Sequence, residues 1–287
     1  MIKILVIGDF HGKFPMKLKK RIKKEDFNLI ASPGDYCGNE ELGNLFFKHA
    51  YGKHKELWEF IGKKKNYQLE KRNYESGVKI LKELEKFDKP IIGVTGNWDP
   101  TPFGDIGYPN KKELFNKKFK SAIKKTKNLR IIDFKKSNFK ELNFVGYPRS
   151  TYPGRITKHI EIKKRDGKKS SKIIRKIKGD NKKYFKKLKG YFGKDTIFIS
   201  HNCPYYILDK IARGEMKGKH YGSWLTKELI KKAKPFLVIC GHMHENLGKK
   251  KVGKTWVVNP GAAVDGKAAI IKIDENRKKV KSVKFLR

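Results

Sequence analysis

Seven side chains of metal-binding type stand just past short apolar runs in this sequence. Asp9 and His11 follow residues 2–7, Asp35 follows 27–31, Asn97 follows 90–94, His201 follows 196–199, and His242 and His244 follow 236–239. One histidine after a strand is an ordinary structural residue; five recurrences of the pattern point to a shared purpose. Carboxylate, amide oxygen and imidazole together suit Mn²⁺, Fe, Co, Ni or Zn. No paired-cysteine motif is present, which disfavours a structural zinc site. The candidates exceed what one tetrahedral ion takes, and they suit two divalent ions that share a bridging carboxylate.

These residues need strands that end at one place. Residues 2–7 read as a strand buried on both faces, because an exposed strand would alternate with polar residues. In an extended segment, residues i and i+2 point to the same side, so Asp9 and His11 would be offered together. Open α/β sheets put ligands outside the carboxyl ends of their strands. Further strands are predicted at 27–31, 90–94, 129–134, 142–145, 196–199, 236–239 and 255–258, and two more flank Asp274-Glu275-Asn276-Arg277 as a hairpin. Helices are predicted over 17–24, 67–87 and about 224–234. In the second of these, Leu69, Val78, Leu81, Leu84 and Phe87 recur at helical spacing. Strand, helix and strand in succession predict βαβ units and a largely parallel sheet.

The chain has 287 residues, 70 Lys+Arg against 29 Asp+Glu, and a formal charge of +41. Such a balance suits a polyanion, nucleic acid first, although evenly spread lysines also solvate a surface. From 163 to 189 there are fourteen basic and two acidic residues, read as a helical cap or a basic arm. Cys37, Cys203 and Cys240 are too few and scattered for a disulfide scaffold, which predicts a reducing cytoplasm. No apolar run approaches the roughly 20 residues of a membrane span. No signal peptide is visible ahead of the first strand.

Asp9-Phe10-His11, Gly34-Asp35, Gly96-Asn97, Ser200-His201 and Gly241-His242-Met243-His244 together resemble the five ordered motifs of the calcineurin-like metallophosphoesterase superfamily. Asn259-Pro260-Gly261 resembles a turn found late in such proteins. The resemblance runs from the first strand to residue 261 and implies an α/β fold, a four-layer αββα sandwich of two mixed sheets. It implies one domain over 1–287, with basic insertions at about 39–75 and 150–194 outside the motifs. Carried over position by position, Asp9, His11 and His244 would hold one metal, Asn97, His201 and His242 the other, and Asp35 would bridge them. Mn²⁺ is the first expectation. The implied chemistry is hydrolysis of a phosphomonoester or phosphodiester by a hydroxide that bridges the metals, since a bound cation lowers the pKa of water to about 7. Asn97 and the metals would stabilise charge on the non-bridging oxygens.

One departure concerns the acid. The superfamily commonly has a histidine directly after the motif asparagine, able to protonate the leaving group; this chain has Trp98. His220 is the nearest substitute, and a loop histidine before a Ser223 helix cap is its plainer reading. Arg149, past a strand, is a candidate for bidentate phosphate binding. Asp99 is expected only to cap a turn. Two alternatives stay open: a nuclease using the basic surface, and a metal-binding scaffold with little turnover.

Overall fold

The computed structural model describes residues 1–50, 56–102, 112–150, 181–212, 214 and 217–287. Among these, two six-stranded sheets face each other. The first runs β12-β11-β1-β2-β3-β4, where β1 is Ile2–Val6, β2 Leu29–Ser32, β3 Ile91–Gly93, β4 Leu129–Ile131, β11 Ala268–Asp274 and β12 Lys279–Leu286. The second runs β5-β6-β7-β8-β10-β9, with β5 Lys136–Phe139, β6 Leu142–Tyr147, β7 Thr196–Asn202, β8 Leu237–Gly241, β9 Gly248–Val252 and β10 Thr255–Asn259. Each sheet has a parallel centre, β1 to β4 and β6-β7-β8-β10, with antiparallel strands at its margins. The two mixed sheets are those the motif resemblance implies, and the βαβ signals account for their parallel centres. The local βαβ signals were sound, but nothing local says that the chain changes sheets after β4.

The layers follow from strand alternation. Ile2, Ile4 and Val6 of β1 meet Phe144, Ile197, Ile199 and Ile239 between the sheets. Leu5 and Ile7 face the other way, onto the helices Met16–Ile22 and Lys63–Glu85, which contribute Leu18, Ile22, Ile80, Leu81 and Leu84. On the far side, Phe198, Val238 and Val257 pack against Leu225, Leu229 and Ile230 of the helix Trp224–Ala233. Helix, sheet, sheet and helix make four layers. Each aliphatic or aromatic side chain so buried contributes about 1.5–3 kcal/mol. The continuous apolar strands are those covered on both faces.

Two strands and the helices Glu40–Leu45, Trp58–Ile61 and Lys112–Lys125 escaped the sequence reading. β5 and β9 are edge strands, exposed at alternate or most positions, and β9 carries Lys249, Lys250 and Lys251. Edge lysines discourage pairing with a second chain, and they also hide the apolar alternation. The helix Lys112–Lys125 buries Phe115 and Phe119 between lysines. The stretch 39–75 begins at Asn39, whose side chain caps the helix Glu40–Leu45 by accepting from Leu42 N, and it ends within the helix Lys63–Glu85. Residues 181–189 form a helix that buries Leu188. The rest of the basic stretch read as a cap or arm, 151–180, lies outside the described residues. No described helix is long and apolar enough to cross a membrane.

Candidate metal centre

Three loops of one sheet meet the last residues of β7 and the loop after β8 of the other, so the site straddles their seam. The expected i,i+2 presentation of Asp9 and His11 is corrected. Both residues, with Asp35 and His242, have positive φ (53°, 45°, 55° and 66°). Such left-handed backbone is uncommon for residues other than glycine, and strain of this kind gathers at functional sites. The loops are stitched by backbone bonds: Asp9 N donates to Gly34 O, and both Phe10 N and His11 N donate to Asp35 O. His201 also differs from the expectation of a residue past a strand. It lies inside β7, where the register against β8 shifts between Ser200 and Asn202. An irregularity of this kind re-aims a side chain.

The residues come together in two groups, Asp9 with His11 and His244, and Asp35 with His201 and His242, the ligand atoms of each lying within 4.8 Å of one another. Asp35 Oδ2 links them, 3.6 Å from His11 Nε2 and 3.5 Å from His201 Nε2. Asn97 joins the second group, its Oδ1 2.7 Å from His201 Nε2. All seven expected ligands are thus at one place. His201 and Asp9 are fully buried, whereas the His244 side chain is 32% exposed, so the centre opens on that flank.

The donor chemistry fits cations. Pro33 O, an acceptor only, lies 2.8 Å from His201 Nδ1. That nitrogen therefore carries the hydrogen, and in the neutral ring Nε2 presents a lone pair towards Asn97 Oδ1. A cation between the two turns opposed lone pairs into two ligand bonds. The carbonyl behind the ring also fixes the tautomer a metal needs. In the other group, His11 Nε2 and His244 Nε2 are 3.1 Å apart. Burial, then the charge of His244, pushes His11 down to about 3. Burial works against charge on His244 too, but Asp9 outweighs it and lifts His244 to about 9. Asp9 is held at about 2 against its own burial, chiefly by His244. Burial and the neighbouring His201 push His242 down. Asp9 thus favours a charged His244 beside an uncharged His11, at the place where a cation would bind.

Asp99 does more than cap a turn, and this corrects the sequence reading. Its buried carboxylate accepts from Asp35 N (3.1 Å), Gly96 N (2.8 Å) and Cys37 N (2.9 Å), tying the second and third loops together. Burial and the charge of Asp35 raise it to about 7. Asp133, also missed, accepts from Thr95 N and Thr95 Oγ1 and so anchors the loop before Asn97. The only local signal for Asp99 was a carboxylate three residues after Gly96. Glycines let the loops approach closely. A Cβ on Gly96 would lie 2.1 Å from Asp35 Oδ1, and one on Gly38 would lie 2.1 Å from the His11 carbonyl carbon. Asn259, at the late turn, donates to Met243 O and holds the loop between His242 and His244.

The remaining candidates lie at the rim. Trp98 stands edge-on to His11, ring centroids 5.4 Å apart, and leans on the insertion beside Leu42 and Gly43. His220 stands apart from the two ligand groups. Asp209, itself buried, holds its Nδ1 at 2.6 Å. The next residue, Tyr221, stacks at 22° and 6.3 Å on His242. Arg149 lies over the Tyr184 ring at 5.4 Å. A cavity of about 460 Å³ lined by Glu41, Ile61, Lys63, Leu69 and Arg72, among others, shares no residue with the ligand groups.

Residues 166–285 match the family model described as metallophosphoesterase, calcineurin superfamily. No curated protein matches the sequence. Among solved structures, one crystal structure covers 99% of this chain and 99% of its own, with TM-score 0.65 and 19% identity. The protein TT1561 of Thermus thermophilus covers 100% and 99%, with TM-score 0.53 and 17% identity. A dimetal phosphatase from Danio rerio covers 94% and 92%, with TM-score 0.50 and 9% identity. These likenesses are of fold.

Proposed function

We propose that this chain, whose residues 166–285 match the calcineurin-superfamily metallophosphoesterase model, hydrolyses a phosphate ester, mono- or diester, with two divalent cations. The supporting observation is the pair of ligand groups that meet at Asp35 Oδ2. Asp9, His11 and His244 would hold one cation, Asn97, His201 and His242 the other, with Asp35 between. The donor set suits Mn²⁺ first and also accommodates Fe, Zn, Ni or Co. When bound, such a pair activates water and draws charge from the phosphoryl oxygens.

The chain supplies the rest. With Asn97 Oδ1 turned to the second group, its Nδ2 hydrogens are left to stabilise a phosphoryl oxygen. Trp98 carries no transferable proton. His220 is proposed as the donor to the leaving oxygen, because Asp209 fixes its Nδ1 and leaves Nε2 for the substrate. Arg149, held flat by Tyr184, is proposed as a second phosphate contact. Three free, buried cysteines fit a reducing cytoplasm.

The test is a panel of mono-, di- and cyclic phosphate esters assayed in several divalent metals and in chelator. The expected result is hydrolysis that needs metal and is lost, with the metal, in Asp35→Asn. Retention of both metal and activity in that variant would contradict the reading. Trp98 favours one rival, a metal-binding scaffold; a metal-loaded chain that turns over nothing on the panel would establish it.

A further inference from the structure

Beside the loop of His242, three aromatic rings meet at the surface. Tyr205 and Tyr206 have centroids 4.2 Å apart, and Tyr205 stacks on Trp224 at 5.4 Å and 24°. Tyr206 is 52% and Trp224 42% exposed. The two exposed rings belong to one cluster, since Tyr205 touches both. The Lys227 ammonium lies 5.4, 4.7 and 5.3 Å from the centroids of Tyr205, Tyr206 and Trp224. His220 closes the edge, 4.2 Å from Tyr206.

We propose that this platform binds single-stranded nucleic acid, with bases stacking on Tyr206 and Trp224 and backbone phosphates meeting Lys227 and its neighbours. Two arguments select that occupant. Exposed flat rings are a sequence-tolerant surface for unpaired bases, which a duplex keeps inside its own stack. The surroundings complement a polyanion: Lys210, Lys217 and Lys219 are exposed around His220, and neither they nor Lys227 has an acidic partner among the described residues. The charge of +41 works in the same direction. The platform also continues into the metal centre, because Tyr221 follows His220 and stacks on His242. A strand lying across the rings would bring a phosphodiester to the cations. That last step rests on the phosphoesterase reading, whereas the binding does not.

Binding is therefore measured on the whole chain in chelator, where nothing turns over. The probe is a fluorescein-labelled 20-mer of thymidylate, with a duplex of equal length beside it, read by anisotropy across a salt series. The wild type is expected to prefer the single strand. Tyr206→Ala combined with Trp224→Ala should weaken that binding by roughly 30-fold or more, the range for losing two stacked bases, with the salt slope unchanged. Tyr206→Phe combined with Trp224→Phe should bind like the wild type, which separates lost stacking from lost folding. Lys210→Gln combined with Lys219→Gln should make the salt slope shallower. Equal affinity for duplex and single strand, or full affinity in the alanine pair, overturns the proposal. Absence of Asp35-dependent ester hydrolysis in the wild type would instead sink the phosphoesterase reading and leave this one standing.

Discussion

His11 Nε2 and His244 Nε2 lie 3.1 Å apart across 233 residues of chain. With His11 pushed to about 3 by burial, and His244 raised to about 9 by Asp9 against its own burial, His244 carries a proton near neutral pH. A divalent ion must expel it. Between pH 7 and pH 9, metal binding should release about one proton from His244, and affinity should rise about tenfold per pH unit. Calorimetric titration in buffers of different ionisation enthalpy reads the proton directly; release of none would contradict the assignment.

The same group sets a stability trend in the metal-free chain. His244 has a folded value above its unfolded 6.5, so its contribution is fully present below pH 6.5 and is lost as pH rises through about 9. Asp99, raised to about 7, works in the same sense but is spent by neutrality. Urea unfolding of chelated protein should therefore show stability falling from pH 7 to pH 9. The metal-loaded chain, with no proton there to lose, should be flat over that window.

Asp99→Ala removes the acceptor for three buried N–H groups. Leaving a buried donor unsatisfied costs about 1–3 kcal/mol, so a loss of about 3 kcal/mol or more is expected in denaturant unfolding, with weaker metal retention. Asp99→Asn keeps one oxygen and should fall between that variant and the wild type. Unchanged stability in Asp99→Ala would show that the loops are held some other way.

Gly96→Ala tests the bridging position without touching a ligand. The new Cβ would stand 2.1 Å from Asp35 Oδ1 and 2.6 Å from Asp35 N. Overpacking of this kind costs about 1–3 kcal/mol. The expected protein is folded, with metal content well below that of the wild type. Full metal content would mean that Asp35 need not stay where it is.

His220→Ala should leave metal content intact and lower turnover by about 10²–10⁴-fold, the range for a general acid. The loss should be greatest on esters with poor leaving groups. Equal turnover on alkyl and nitrophenyl esters would end the proton-donor role.

Much of the centre was legible because each ligand follows an apolar run, and burial of that run is what the pattern records. Asp9, Asp35, Asn97 and His242 are positioned by strand ends, so finding the strand finds the residue. What supports them was not legible. Asp99 acts on N–H groups of Asp35 and Cys37 more than sixty residues away, and Asp209 on His220 through a loop without periodicity. The irregular pairing that re-aims His201 depends on β8, not on its own segment. The lysines of β9 solvate a sheet edge, so they carry no apolar alternation to detect. The split into two sheets became an expectation only through the motif resemblance, since parallel strand signals read alike in either arrangement.

The most direct measurement is a crystal structure of Mn²⁺-loaded protein with anomalous scattering at the manganese edge. Two peaks are predicted, one against Asp9, His11 and His244 and one against Asn97, His201 and His242, with Asp35 touching both. No peaks at these residues, or peaks only elsewhere on the chain, would contradict the account.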